Sequence, residues 1–274
     1  LQTATAGTSN LRLGANAGNS LVSGSDYNVL IGDEAGTGLN VYTADANVAI
    51  GHKAMFEATS ANNNVAIGQS AMRDASTGTF NIAIGPDAMG DGVVTGNHNL
   101  AIGYLPLENL TGGAGNIALG REALETLTTG NNNIAIGQFA LEATNGSEVV
   151  SVGGASGLVY TSTDSVFVGY SAGKFATSGA GQTFVGHSAG QGITGTKLTG
   201  TNNTAIGRDS GLVLQGNAYS NTFIGANSGK AATIGIQNTF AGDGAGDSLT
   251  DSDYNVAVGY LALSAVCGNG NTAV

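Results

Sequence analysis

The sequence predicts an all-β chain, a parallel β-solenoid or β-roll of about fifteen repeats of ~17 residues, assembled as a homotrimeric fibre. Three observations predict it. A short motif recurs along the whole chain: Asn, three mostly apolar residues, then Gly. Its apolar residues are mostly β-branched and alternate with a period of two. Finally, the chain carries 46 glycines and only 10% charged residues, against the roughly 25% charge of an ordinary soluble domain.

The glycine of the motif sets the repeat. It stands at Gly14, Gly32, Gly51, Gly68, Gly85, Gly103, Gly120, Gly137, Gly153, Gly169, Gly186, Gly207, Gly225, Gly242 and Gly259, at spacings of 16 to 21 residues, most often 17. The residue after the Asn (Val48, Val65, Ile82, then Thr183, Thr204, Thr222, Thr239) and the residue before the Gly (Ile50, Ile67, Ile84, Ile206) are two apart, so they share one face of a strand. The residue between them points the other way and is also apolar: Ala49, Ala66 and Ala83 early, Phe167, Phe184, Phe223 and Phe240 later. Apolar on both sides, the strand is expected to be covered on both sides. So short a coil leaves little room for a private core, which favours three chains sharing one. The Gly then permits a tight bend at positive φ.

Four residues past the Gly comes a second column, Met or Leu in some repeats (Met55, Met72, Leu107) and Gly in others (Gly36, Gly173, Gly190). Repeats with Met or Leu there have Ala in the strand, and those with Phe or Leu in the strand have Gly. Large and small exchange as a close-packed interior of fixed volume requires, so the two columns are expected to touch. Ser151 with Gly157 and Ala205 with Gly211 break the rule, being small at both places. The Asn that opens the motif, at Asn47, Asn64, Asn81, Asn99, Asn116 and Asn133 among others, is expected to form a hydrogen-bonded ladder at one corner of successive coils.

Several function classes are disfavoured. A net charge of -11, with eight Lys and Arg, repels a phosphate backbone, so no nucleic-acid partner is expected. No apolar run approaches the roughly 18 residues that would insert in a membrane. Cys267 is the lone cysteine, and His52, His98 and His187 read as solvated turn residues, so no metal or cofactor site is expected. Gly169-Tyr170-Ser171-Ala172-Gly173 and Gly186-His187-Ser188-Ala189-Gly190 match a nucleophile elbow but fall on the repeat's own corner, outside any strand-turn-helix context. The Thr column suggests a flat ice-binding face, yet it is Val or Ile elsewhere, which reads as a core position. No enzyme is expected.

Asn62-Asn63-Asn64-Val65-Ala66-Ile67-Gly68 and Asn131-Asn132-Asn133-Ile134-Ala135-Ile136-Gly137 resemble the Asn-x-Ala-Ile-Gly-x-x-Ala-Leu repeats of phage tail-fibre proteins, and are similar to the head repeats of trimeric autotransporter adhesins. The resemblance implies a trimeric β-roll or β-solenoid on a virion or at a cell surface. Its partners would be two further copies of the chain and a host cell-surface glycan or protein. The autotransporter unit is shorter, near fourteen residues, so a phage tail-fibre shaft that mediates or supports attachment is the leading reading. A bacterial surface adhesin or extracellular filament is the alternative, and a polysaccharide-cleaving tailspike the third. Residues 1–274 are read as one repeat domain, a fragment of a longer chain, because Asn271-Thr272-Ala273-Val274 opens a further repeat.

Two features stand off the regular rung. Glu57, Asp74, Asp91, Glu108, Glu125 and Glu142 follow the Gly by five or six residues in consecutive repeats and are expected to form a solvated acidic stripe that blocks sideways aggregation. Two connections are longer than the rest, one containing Tyr42 and one containing Lys197. Loops projecting from a rigid scaffold are where recognition concentrates, so these two residues are the candidate receptor contacts.

Overall fold

The computed structural model describes residues 7–39 and 44–274. Among them are sixteen short strands and no helix: β1 (Leu11–Leu13), β2 (Val29–Ile31), β3 (Val48–Ile50), β4 (Val65–Ile67), β5 (Ile82–Ile84), β6 (Leu100–Ile102), β7 (Ile117–Leu119), β8 (Ile134–Ile136), β9 (Val149–Val152), β10 (Ser165–Val168), β11 (Thr183–Val185), β12 (Thr204–Ile206), β13 (Thr222–Ile224), β14 (Thr239–Ala241), β15 (Val256–Val258) and β16 (Thr272–Ala273). The chain divides into two compact units, Leu1–Ala135 and Ile136–Val274, with β8 at the division. In the first unit β1 to β7 pair consecutively and in parallel, and in the second β9 to β16 do the same. Each unit is therefore a parallel β-solenoid, one coil per sequence repeat. The register aligns the repeats position for position, Val65, Ala66 and Ile67 beside Ile82, Ala83 and Ile84.

One coil can be followed from its sequence. Val65 donates its N–H to the Asn81 carbonyl on the next coil (2.9 Å), while Gly68 donates to the Ile50 carbonyl on the preceding one (2.8 Å). The chain then bends at Gly68, with Ala71 N–H returning to the Gly68 carbonyl at 3.4 Å and Ser70 at φ +55° in the left-handed position such a turn needs. Gly68 itself has φ +137°, a region open essentially to glycine alone. A Cβ there would also lie 2.5 Å from the Gly85 carbonyl oxygen of the next coil, so the glycine is required twice over.

The interior is where the structure corrects the sequence reading. The central strand residues, Ala49, Ala66, Ala83, Phe167, Phe184 and Phe223 among them, are fully buried, so each coil does enclose a private core. The flanking residues are not in it. Val65 and Ile67 are half-buried, Ile102 is 39% exposed and Ile224 45%, because their side chains point out of the coil. The Thr column is corrected with them: Thr183, Thr204 and Thr222 are half-buried and Thr239 is exposed, all on the outer face. The ground for setting aside an ice-binding face therefore fails. Against that face now stands the first unit, where every outward strand residue from Leu11 to Leu119 is Leu, Val or Ile.

The exchanging columns do touch. An added Cβ at Gly190 would lie 2.5 to 2.6 Å from the Phe184 ring, and one at Gly36 2.6 Å from the Leu30 side chain. A third column, seven residues past the Gly and missed in the sequence, resolves one of the two exceptions, and adjacent coils resolve the other. It holds buried Leu39, Leu110, Leu127, Leu214 and Tyr160. Where Ala205 and Gly211 are both small, Leu214 fills the space, 2.9 Å from the position of a Cβ on Gly211. Where Ser151 and Gly157 are both small, the neighbouring coils fill the space: an added Cβ at Gly157 would lie 2.8 Å from both the Leu141 and the Phe167 side chains, and Tyr160 stands edge-on to Phe167 at 4.9 Å. The interior is filled by three columns and by side chains from adjacent coils, rather than by two columns alone.

The expected Asn ladder is present. Asn64 Oδ1 accepts the N–H of Asn81 (2.8 Å), Asn81 Oδ1 that of Asn99 (2.9 Å), and the chain of bonds continues through Asn116 to Asn133. Each side-chain amide turns its other end to a turn carbonyl, as Asn47 Nδ2 donates to Ala61 O at 2.8 Å. All six amides are buried, so these bonds satisfy groups that water cannot reach. In the second unit Ser165 and Gln182 stand in the column. Gln182 N–H donates to Ser165 Oγ (2.9 Å), and Tyr160 Oη lies 2.6 Å from the same oxygen. One tyrosine thus completes the core and the polar corner together.

Candidate functional site

The outward strand face is the largest feature not explained by folding of the chain. Two aliphatic side chains per coil, in register from coil to coil, make an apolar strip in the first unit. A second strip, with Thr in four coils, runs along the second unit. Contiguous exposed apolar surface of this kind marks an interaction site on a soluble protein. Leaving it in water forgoes about 25 cal/mol for every Å² that a partner would cover.

The acidic positions of the first unit lie on one side of the coils. Glu57 and Asp91 are exposed, and Asp74, Glu108 and Glu125 are half-buried. They are not uniformly solvated. Arg73 bridges Asp74 at 3.0 Å and Asp91 at 2.7 Å, inserting a cation where repulsion would otherwise accumulate. Glu108 is different: burial, then the charges of Asp91 and Glu125, a hydrogen bond with Glu125 and the charge of Asp87 push it up to about 7.

That shift has a stability consequence with a definite sign. Glu108 is protonated in the fold up to about pH 7, against 4.5 when exposed, so its contribution is fully present below pH 4.5 and lost as pH rises through 7. Glu108→Gln is expected to raise the thermal midpoint at pH 8 and to match the parent at pH 4. A difference that stayed constant across this range would refute the assignment.

Of the candidate receptor contacts, Tyr42 lies outside the described residues. Lys197 is on an exposed turn that leaves the coil after Gly192, closes through an antiparallel bridge between Ile193 and Thr196, and re-enters at buried Leu198. Leu198 bridges Ala176 on one side and Gly216 on the other, so the insertion leaves the stacking intact. The described residues form no pocket around Lys197. Ser171 and Ser188 of the elbow-like motifs are buried at φ 57° and 56°, the same left-handed conformation as Lys53 (58°) and Asp87 (53°) at that repeat position.

The structure also joins residues that sequence spacing leaves apart. Tyr170 and His187, each immediately after a repeat Gly, stack with ring centres 5.5 Å apart and planes at 28°, and both are exposed. Phe80 and His98, each immediately before the Asn position, stack at 5.3 Å and 17°. Aligning the repeats by column is the signal that would have found both pairs.

No protein-family model matches the chain, and no curated protein sequence matches it.

Proposed function

We propose that this chain is a structural segment of a homotrimeric fibre of the phage tail-fibre kind, a shaft that mediates or supports attachment to a host surface. The observation that carries the proposal is the outward apolar strip. A chain that already has a complete interior has no folding need for a second aliphatic face, repeated coil after coil. Two further copies related by a closed rotation would cover it, and parallel coils would bring like rungs together along the shared face. The Asn-x-Ala-Ile-Gly repeat, shared in kind with trimeric fibre proteins, supports three copies over two. On this reading the chain works at a virion or cell surface, with no cofactor. The regular rungs act as a spacer, and the Lys197 turn is the projecting element closest to a recognition loop.

Light scattering on the purified chain tests the assembly. The expected mass is three times the 26.9 kDa of one chain, and Ile67→Lys with Ile84→Lys, which places charges on the strip, is expected to give folded monomers. A stable, folded monomer of the parent chain would defeat the proposal.

A further inference from the structure

The outward strip of each coil is bordered by two further positions, the residue before the Asn column and the residue after the Gly. In β4 they are Asn63 and Gln69, both exposed, and in β5 Phe80 and Pro86, also both exposed. They stand at opposite ends of the strand, six residues apart and on the order of 20 Å along an extended chain, so they do not meet within one coil. Along the stack, each margin is continuous. Phe80 stacks on His98 along one, and Tyr170 on His187 along the other.

Row by row, the two margins complement each other. Asn63 has an amide opposite it in Gln69, Phe80 has the apolar Pro86, and the Asp164 carboxylate has the Tyr170 hydroxyl. Where one margin holds glycine the other holds a long side chain: Gly115 with Arg121, Gly181 with His187, and Gly154 with Glu148. No coil carries a charge on both margins. Contacts inside one chain do not require this matching, because the paired residues are a strand length apart.

We infer that neighbouring copies of the chain meet margin to margin and coil to coil, the residue before the Asn in one chain against the residue after the Gly of the same coil in the next. Rotation about an axis parallel to the stack produces this contact, because it keeps every coil at its own height and brings opposite margins together. A slip of one coil would set Phe80 against Gln69 in one direction and Asn63 against Pro86 in the other, so the margins select the register. The inference rests on the proposed three-copy assembly and deepens it by naming the contacts that close the ring and fix its alignment.

Cross-linking of the full chain tests it, in a Cys267→Ser background so that introduced cysteines are the only thiols. Asn63→Cys with Gln69→Cys, treated with a short bismaleimide, is expected to give covalent dimers and trimers and no larger species. Asn63→Cys with Arg121→Cys, whose margins are three coils apart at about 4.8 Å each, is expected to give at least about tenfold less. Charge provides a second readout. The coils next to this row carry Ala46, Phe80, His52 and Pro86, so no Asp, Glu, Lys or Arg stands beside either site on its own margin. Asn63→Lys with Gln69→Lys is expected to raise the concentration for half-dissociation by about tenfold at low salt, and Asn63→Lys with Gln69→Glu to restore it. If the Cys267→Ser chain scatters as a trimer, then equal cross-linking by the two cysteine pairs, none by the matched pair, or no rescue by Gln69→Glu would overturn the margin contact and leave the trimer standing. A monomer in scattering would overturn both.

Discussion

Gly68→Ala is expected to cost at least about 4 kcal/mol, an exceptional loss for one methyl group. Two independent penalties combine. At φ +137° an L-residue is strained by about 1–3 kcal/mol. The added Cβ would then stand 2.5 Å from the Gly85 carbonyl oxygen and 2.6 Å from its carbon, both backbone atoms that no side-chain rotation can clear. The coils must separate locally, weakening inter-coil hydrogen bonds worth about 1 kcal/mol each. Gly112→Ala supplies the contrast. It has no positive φ, and its nearest contact would be Thr129 Cγ2 at 3.8 Å, so the same substitution is expected to be neutral or to stabilise by up to about 1 kcal/mol through the unfolded state. Because coils in a solenoid couple mainly to their neighbours, hydrogen exchange resolved along the chain should show the loss centred on the coils around Gly68. Equal effects at the two glycines would show that the close approach of the coils is not what demands glycine.

Phe184→Ala is expected to cost about 3–5 kcal/mol by opening a cavity in a fully buried position beside Phe167. Gly190→Leu alone should also destabilise, since its Cβ would meet the Phe184 ring at 2.5 Å. Together the two changes should recover most of the loss, giving each mutation the opposite sign in the presence of the other. The backbone permits this. Gly190 has φ +53°, and Met55 (53°), Met72 (50°) and Leu107 (52°) occupy the same place in other coils with the same conformation. The left-handed conformation leaves a residual cost of about 1–2 kcal/mol in the double variant. Urea unfolding of the four proteins measures the coupling, and additive losses would show that the two columns do not share one volume.

Much of this protein was legible as sequence. The repeat placed every strand, the recurring Gly marked the bend, and the Asn column was recognisable as a ladder because the same residue returned at the same place. The exchange of Ala with Met, and of Phe with Gly, showed that two columns touch. Lys197 was visible as an insertion, though the structure shows only that it projects. Other matters needed the third dimension. A period of two separates the faces of a strand, but where both are apolar it cannot say which lines the coil, and the Thr183 column was read as a core position for that reason. Leu214 and Tyr160 escaped because their contact with the strand depends on where the second bend falls, and bends made by Met and Leu at positive φ leave no glycine to mark them. Tyr170 and Gly154 are 16 residues apart in the chain and adjacent in space. Composition and periodicity determined that the chain coils; only the register of one coil upon the next decided which side chains meet, because that register is set by hydrogen bonds between backbones, which carry no residue identity.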